Sequence, residues 1–253
     1  MNLAERGAEM EAWGLSDTGN VRKQNQDYYR IEQLTGGALL AVVCDGMGGA
    51  KAGNVASKLA CEVFAGEVKR SFRPEKSPKE QESMLREAAA LANRSVFEHS
   101  QLSEEFSGMG TTLVAVLILK SLSALVLNIG DSRAYLLNSD GVRCVTVDHS
   151  LVELMVQRGE ITPEQAKNHP GKNLITRAVG TEPQVSADVF PLQLGKNDCI
   201  LLCSDGLSNQ MADQEILFEV IHGAHKSDCC RRLLQIAKER GAPDNVTSVL
   251  IAV

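Results

Sequence analysis

No two cysteines in this chain stand at C-x-x-C spacing, although it has seven of them. The number is odd, and Cys44, Cys199 and Cys203 lie inside apolar runs, where a thiol behaves as a small hydrophobe. The pattern argues against a disulfide scaffold or a zinc site and for a reducing, cytoplasmic setting. Long apolar runs are missing too. The longest, 113–127, is broken by Lys120, Ser121 and Ser123, and a bilayer span needs roughly 20 apolar residues. The opening MNLAERGAEMEAW has no basic stretch followed by an apolar one, so no signal peptide is expected. Positive charge is also short. A formal net charge of -6 speaks against nucleic acid as a partner.

Several catalytic signatures are absent. There is no G-x-S-x-G for a serine hydrolase and no G-x-x-x-x-G-K-[ST] for a P-loop. Asp17-Thr18-Gly19 spells an aspartic-protease triplet, but no second copy exists to complete the dyad, so SDTGN reads as a turn. His149 and His169 lack partners at zinc-ligand spacing. Cys203 sits in an apolar run with no cationic neighbour in sequence.

What is present is a substantial core: 253 residues, 43% hydrophobic and 23% charged, enough for one large domain or two small ones. Ala38 to Cys44 reads as a buried strand ending at Asp-Gly. Apolar residues at three- and four-residue steps predict helices over 52–72 and 80–99. Short β-rich segments follow at 111–120, 124–129, 134–138 and 142–147, with hairpin turns at Lys120-Ser121 and 139–141. The polar 139–181 stretch is the candidate for a mobile insertion, with two short helices around Gly159 and His169-Pro170. Further strands are expected at 28–31, 185–190, 199–203 and 246–253, and a helix at 229–240 closed by Gly241. Grouped strands and paired helices predict an α+β fold. No internal repeat or domain boundary is visible, so 1–253 is read as one domain.

Four aspartates mark strand ends: Asp45 in AVVCDGMGG, Asp131 in LVLNIGDSR, Asp205 in CILLCSDGL and Asp244 in GAPDNVTSVLI. Each alone is ordinary turn chemistry. Together they point to a carboxylate nest for divalent cations, because a carboxylate at the end of a buried strand is costly unless paired. The glycines in GMGGAKAG let backbone approach a ligand closely, or simply link strand to helix. Arg22 offers a planar fork suited to phosphate, or a surface salt bridge. Gln26 and Asp27 precede a strand and read equally as edge residues.

The blocks SDTGNVRKQNQD, VVCDGMGGAKAGNVAS, SGMGTTLVAV, IGDSRAYLL, TVDHSLV, HPGKNLITRAVGT, LLCSDGLSN and GAPDNVTSVL occur in this order over nearly the whole chain. In them the chain resembles the type 2C protein phosphatases, the metal-dependent serine/threonine PPM family, in its compact bacterial form. The resemblance implies a four-layer α-β-β-α sandwich of two antiparallel sheets. It implies two divalent ions, Mn²⁺ or Mg²⁺, with Asp45 bridging both, the Gly46 carbonyl on the second, and Asp205 and Asp244 on the first. Asp131 matches the acid that holds a third, weaker ion, with Asp205 shared. Arg22 matches the phosphate-binding arginine and Asp27 the acid that orients the attacking water.

The implied reaction is in-line attack on phosphorus by a water shared between ions about 4 Å apart, with Arg22 and the ions offsetting phosphate charge. Two residues depart from other members. Met47 stands where some have a histidine proposed as general acid, which leaves protonation of the leaving group to metal-bound water. Gln26 replaces a glutamate. The stretch 149–181 matches the family's flap beside the active site. The implied partners are a bacterial Ser/Thr kinase and its phosphorylated targets, with the phosphatase a monomer. The alternatives are a phosphoprotein-binding module without turnover, and a hydrolase of small phosphate esters.

Overall fold

A computed structural model of the chain describes residues 10–48 and 52–253. Most of the N-terminal segment read for a signal peptide, and Gly49, Ala50 and Lys51 of the glycine-rich loop, lie outside the described residues.

In chain order the elements are β1 (Glu11–Asp17), β2 (Asp27–Gln33), β3 (Leu39–Met47), α1 (Ala52–Ser71), α2 (Pro78–Ser100), β4 (Gly110–Thr111), β5 (Leu113–Ile118), β6 (Ser123–Ile129), β7 (Arg133–Asn138), β8 (Gly141–Cys144), α3 (Leu151–Gln157), α4 (Pro163–Lys167), β9 (Asp188–Gln193), β10 (Cys199–Cys203), α5 (Asp205–Ser208), α6 (Asp213–His222), α7 (Cys229–Glu239) and β11 (Val246–Ala252). One sheet has the order β1-β11-β10-β7-β8. The other runs β2-β3-β5-β6-β9, with β4 added beside β3. The named strand pairs are antiparallel.

Strand β3 shows why the sheets stack. Leu39, Ala41 and Val43 point at the other sheet and meet Ile200, Leu202, Val249 and Ile251. The alternate residues Leu40, Val42 and Cys44 face outward and pack on Ala56, Ala60 and Phe64 of α1. A period of two thus buries both faces. On the far side, Leu201, Cys203 and Leu250 pack under Ile216 of α6 and Leu233 and Ala237 of α7. The result is the α-β-β-α sandwich. Each fully buried Leu or Val contributes about 1.5–3 kcal/mol, so the strands are held firmly and their ends are fixed platforms.

Helix α2 starts where its chemistry dictates. Ser77 and Glu80 form a reciprocal capping box, and Pro78 occupies the first turn. The two short helices expected between 149 and 181 are α3 and α4. Bridges Ser150–Ile175 and Thr111–Val179 tie that stretch to the sandwich.

The turn read in SDTGN forms directly after strand β1: Asp17 closes the strand and its Oδ1 accepts from the Gly19 N–H at 2.9 Å. Helix α6 was not anticipated. Two strand bounds are corrected. Strand β8 ends at Cys144 rather than Val147. Strand β9 begins at Asp188, about three residues later than 185, and includes Pro191. It lies at the sheet edge, where a residue without an N–H is tolerated.

Candidate active site

Antiparallel pairing brings the four strand-end aspartates to one end of the sandwich. Asp45 lies two residues before the end of β3 and is the register partner of Asp27, which opens β2. Asp131 lies in the turn joining β6 to β7. Asp205 follows the end of β10, and Asp244 precedes β11, its antiparallel neighbour. The loop after β1 carries Arg22 to the same end, since Asp17 pairs with Val246.

Hydrogen bonds hold the acids and the residues beside them. The Asp45 N–H donates to Thr112 Oγ1 at 2.9 Å, and Thr111 Oγ1 donates to the Asp45 carbonyl at 2.8 Å. Thr112 Oγ1 is 2.7 Å from Ser132 Oγ, beside Asp131. Ser204 Oγ donates to Asp27 Oδ2 at 2.7 Å and accepts from the Thr247 N–H at 3.0 Å. Asn209 Nδ2 donates to Asp205 Oδ2 at 3.0 Å. Asn245 is a bracket: its amide donates to the Thr18 and Gln24 carbonyls, both at 2.9 Å, and its Oδ1 accepts from the Gln26 N–H at 2.8 Å. The Arg22 loop is thereby pinned to β11.

Gly46 sits in a tight crossing. Its N–H donates to the Gln26 carbonyl at 3.0 Å, and a Cβ there would strike the Gly53 and Gln26 carbonyls. A Cβ at Gly53 would meet only the movable end of the Gln26 side chain. Glycine is therefore required at position 46, where strand meets helix.

The electrostatics show that the acids share one space. Burial pushes the Asp45 carboxyl well above its usual range, and the charges on Asp27, Asp205, Asp131 and Asp244 add to it. Burial, then Asp205 and Asp244, push Asp27 up to about 7 against its hydrogen bonds from Thr247 and Ser204. Asp131 is also pushed up to about 7, by burial and then by Asp205 and Asp148. Asp205 is raised by burial and then by Asp244. Each shift has the sign of like charges crowded in a poorly solvated place. Arg22 Nη2 donates to Asp244 Oδ2 at 2.8 Å, with the arginine side chain 53% exposed. Asp45 and Asp205 further stabilise its charge.

This environment fits divalent cations. Two buried carboxylate oxygens, Asp27 Oδ1 and Asp205 Oδ1, have no hydrogen-bond partner, a costly state unless something positive joins them. The converging donors are oxygens, which suit Mg²⁺ or Mn²⁺. Among the described residues, no three His, Cys, Asp or Glu side chains are already drawn into a closed ligand shell. The acids share one end of the sandwich without converging on a single point.

Thr112, Asn245 and Ser204 were not singled out from sequence. Each lies inside a quoted motif block, but its partners are far away in sequence. The pairing of Arg133 with Asp148, at 2.7 Å, was equally hidden. It also corrects the view of Cys203: Arg133 is the register partner of that thiol, although burial still pushes the thiol up. A separate groove of about 500 Å³ between α6 and α7 is lined by none of the acids in the cleft.

A family model described as Protein phosphatase 2C matches residues 20–250. The chain is 35% identical over 242 residues to the serine/threonine phosphatase stp of Listeria welshimeri, covering 96% of this chain and 95% of that protein. Its structure resembles the S. agalactiae serine/threonine phosphatase with a TM-score of 0.90 at 32% identity, covering 96% of this chain and 99% of the other. The catalytic domain of the serine threonine protein phosphatase PstP, solved in complex with 2 manganese ions, is 31% identical with a TM-score of 0.83, covering 96% and 97%.

Proposed function

The chain belongs to the protein phosphatase 2C family, and from that premise we propose that it is a metal-dependent phosphatase releasing phosphate from phosphoserine and phosphothreonine on proteins. The observation that carries this reading is the meeting of Asp45, Asp131, Asp205 and Asp244 at one end of the sandwich, with unpartnered carboxylate oxygens and an exposed arginine at the rim. Its physiological counterpart is a bacterial Ser/Thr kinase.

Asp45, the Gly46 carbonyl, Asp205 and Asp244 would hold two ions, Mn²⁺ or Mg²⁺, and Asp131 with Asp205 a third. Bound there, the ions supply Lewis acidity, lowering the pKa of water and offsetting phosphate charge.

The chain's own residues do the rest. The Arg22–Asp244 pair is solvent-exposed, so it holds little energy and the guanidinium is available to phosphate. There its planar fork takes two oxygens at once. Asp27 is clamped through Oδ2 by Ser204, which leaves Oδ1 to accept a hydrogen bond from the attacking water and orient it. Hydrolysis forms one P–O bond to that water and breaks the P–O bond to the serine or threonine oxygen, which leaves with a proton. Met47 cannot give that proton, so it comes from water in the cleft.

We read 1–253 as one catalytic domain acting as a monomer, with 149–181 as a flap that shapes substrate choice. Measuring phosphate release from a phosphothreonine peptide and from a sugar phosphate tests the substrate class. Higher kcat/KM on the peptide supports the proposal, and higher kcat/KM on the sugar phosphate contradicts it.

A further inference from the structure

We infer that His149 is a positioning residue that fixes the turn carrying Asp131 and ties that turn to the 175–177 segment and to β9. The inference rests on the proposed place of Asp131 at the cation site.

His149 is buried, with 6% of its surface exposed, and it has no zinc-type partners. It grips Gly130 twice. Its own N–H donates to the Gly130 carbonyl at 2.9 Å, and the Gly130 N–H donates to its Nδ1 at 3.1 Å. A nitrogen that receives an N–H carries no hydrogen of its own, so the ring proton sits on Nε2. Nε2 then donates to Asp188 Oδ2 at 3.0 Å, and Arg177 Nη1 lies 3.2 Å from the same nitrogen. Asp188 Oδ1 accepts from Arg177 Nη1 at 3.1 Å, and the Thr176 N–H donates to the His149 carbonyl at 2.7 Å. One residue, through its ring and its main chain, therefore joins the β6–β7 turn, β9 and the segment before Val179.

The far side of the turn is closed as well. Gly130 has φ +111°, and a Cβ there would come within 2.6 Å of Thr112 Cγ2. Thr112 is the residue that holds the Asp45 N–H. The peptide leading into Asp131 is thus fixed between Thr112 and His149. Partners that orient a ligand in this way typically change metal affinity by 10–100-fold.

Two substitutions divide the ring's two jobs. His149→Asn keeps an acceptor near the position of Nδ1 but cannot reach Asp188. His149→Gln keeps a donor near the position of Nε2 but offers Gly130 nothing. Calorimetric titration of the full chain with Mn²⁺, without substrate, reads the outcome. We expect His149→Gln to weaken the weakest-bound Mn²⁺ about tenfold or more, and His149→Asn to stay within about threefold of the native chain. Equal effects of the two variants, or a larger effect of His149→Asn, overturn the inference. So does a ¹⁵N spectrum of the native chain that places the His149 proton on Nδ1. Asp131→Ala separates this inference from its premise. If that variant leaves every Mn²⁺ affinity unchanged, the reading of Asp131 fails and the inference with it. If it weakens one affinity while His149→Gln weakens none, the role of His149 alone fails.

Discussion

Asp27 and Asp45 stand directly opposite each other at the paired ends of β2 and β3, two carboxylates sharing one poorly solvated corner. Their folded pKa values are raised, as are those of Asp131 and Asp205, so each holds its proton more tightly folded than unfolded. From the ordinary carboxylate value of 3.8 up to about 7, the folded chain binds more protons than the unfolded chain, and stability falls as pH rises through that window. A bound cation reverses this penalty. In EDTA, Tm is expected to fall between pH 5 and pH 8. Added Mn²⁺ is expected to raise Tm by about 5 °C or more at pH 8 and by less than half of that at pH 5. Thermal scans at the two pH values check this.

Asp45→Asn removes a charge from the crowded cleft without changing its size. In EDTA at pH 8 the variant is expected to melt about 2–4 °C above the native chain. Its kcat in Mn²⁺ is expected to fall about 10²-fold or more. Lower Tm in EDTA would mean that the Asp45 charge is compensated within the chain itself.

Arg22→Ala is expected to raise KM about tenfold, a loss of about 1.4 kcal/mol, with a smaller change in kcat. Because the Arg22–Asp244 bridge is exposed, Tm is expected to shift by less than about 2 °C. Steady-state kinetics and a melt on the same preparation decide the matter, and unchanged KM and kcat remove Arg22 from phosphate binding.

Thr112→Val deletes the acceptor for the Asp45 N–H at a site only 2% exposed. Leaving that N–H unpaired costs about 1–3 kcal/mol, and Asp45 is expected to lose its aim, with kcat down about tenfold. Thr112→Ser keeps the hydroxyl and is expected to retain most of the native kcat. Equal kcat for the two variants contradicts the role of the hydroxyl.

The sandwich core was legible because β3, β5, β6, β10 and β11 are nearly continuous apolar runs, and because α1 and α2 repeat their small residues at helical steps. Strand β1 was hidden: EAWGLSD has no clear alternation and depends on β11 for its pairing. The end of β9 was blurred by Pro191, tolerated because the strand is an edge. At the site, Asp45, Asp131, Asp205 and Asp244 were visible because an acid at the end of an apolar run needs a reason. Asn245 and Ser204 were not, because their meaning lies in partners on other strands. His149 looked idle for the same reason, since Gly130 and Asp188 lie 19 and 39 positions away.

On the proposed reading these carboxylates form a cation-dependent phosphatase site. Phosphate release from a phosphothreonine peptide, measured in EDTA and after adding excess Mn²⁺, decides this, with Asp205→Ala as the control. No turnover is expected in EDTA, with turnover restored by Mn²⁺ and at least about 10²-fold less for Asp205→Ala. Equal phosphate release in EDTA and in Mn²⁺, or no release at any Mn²⁺ concentration, would contradict it.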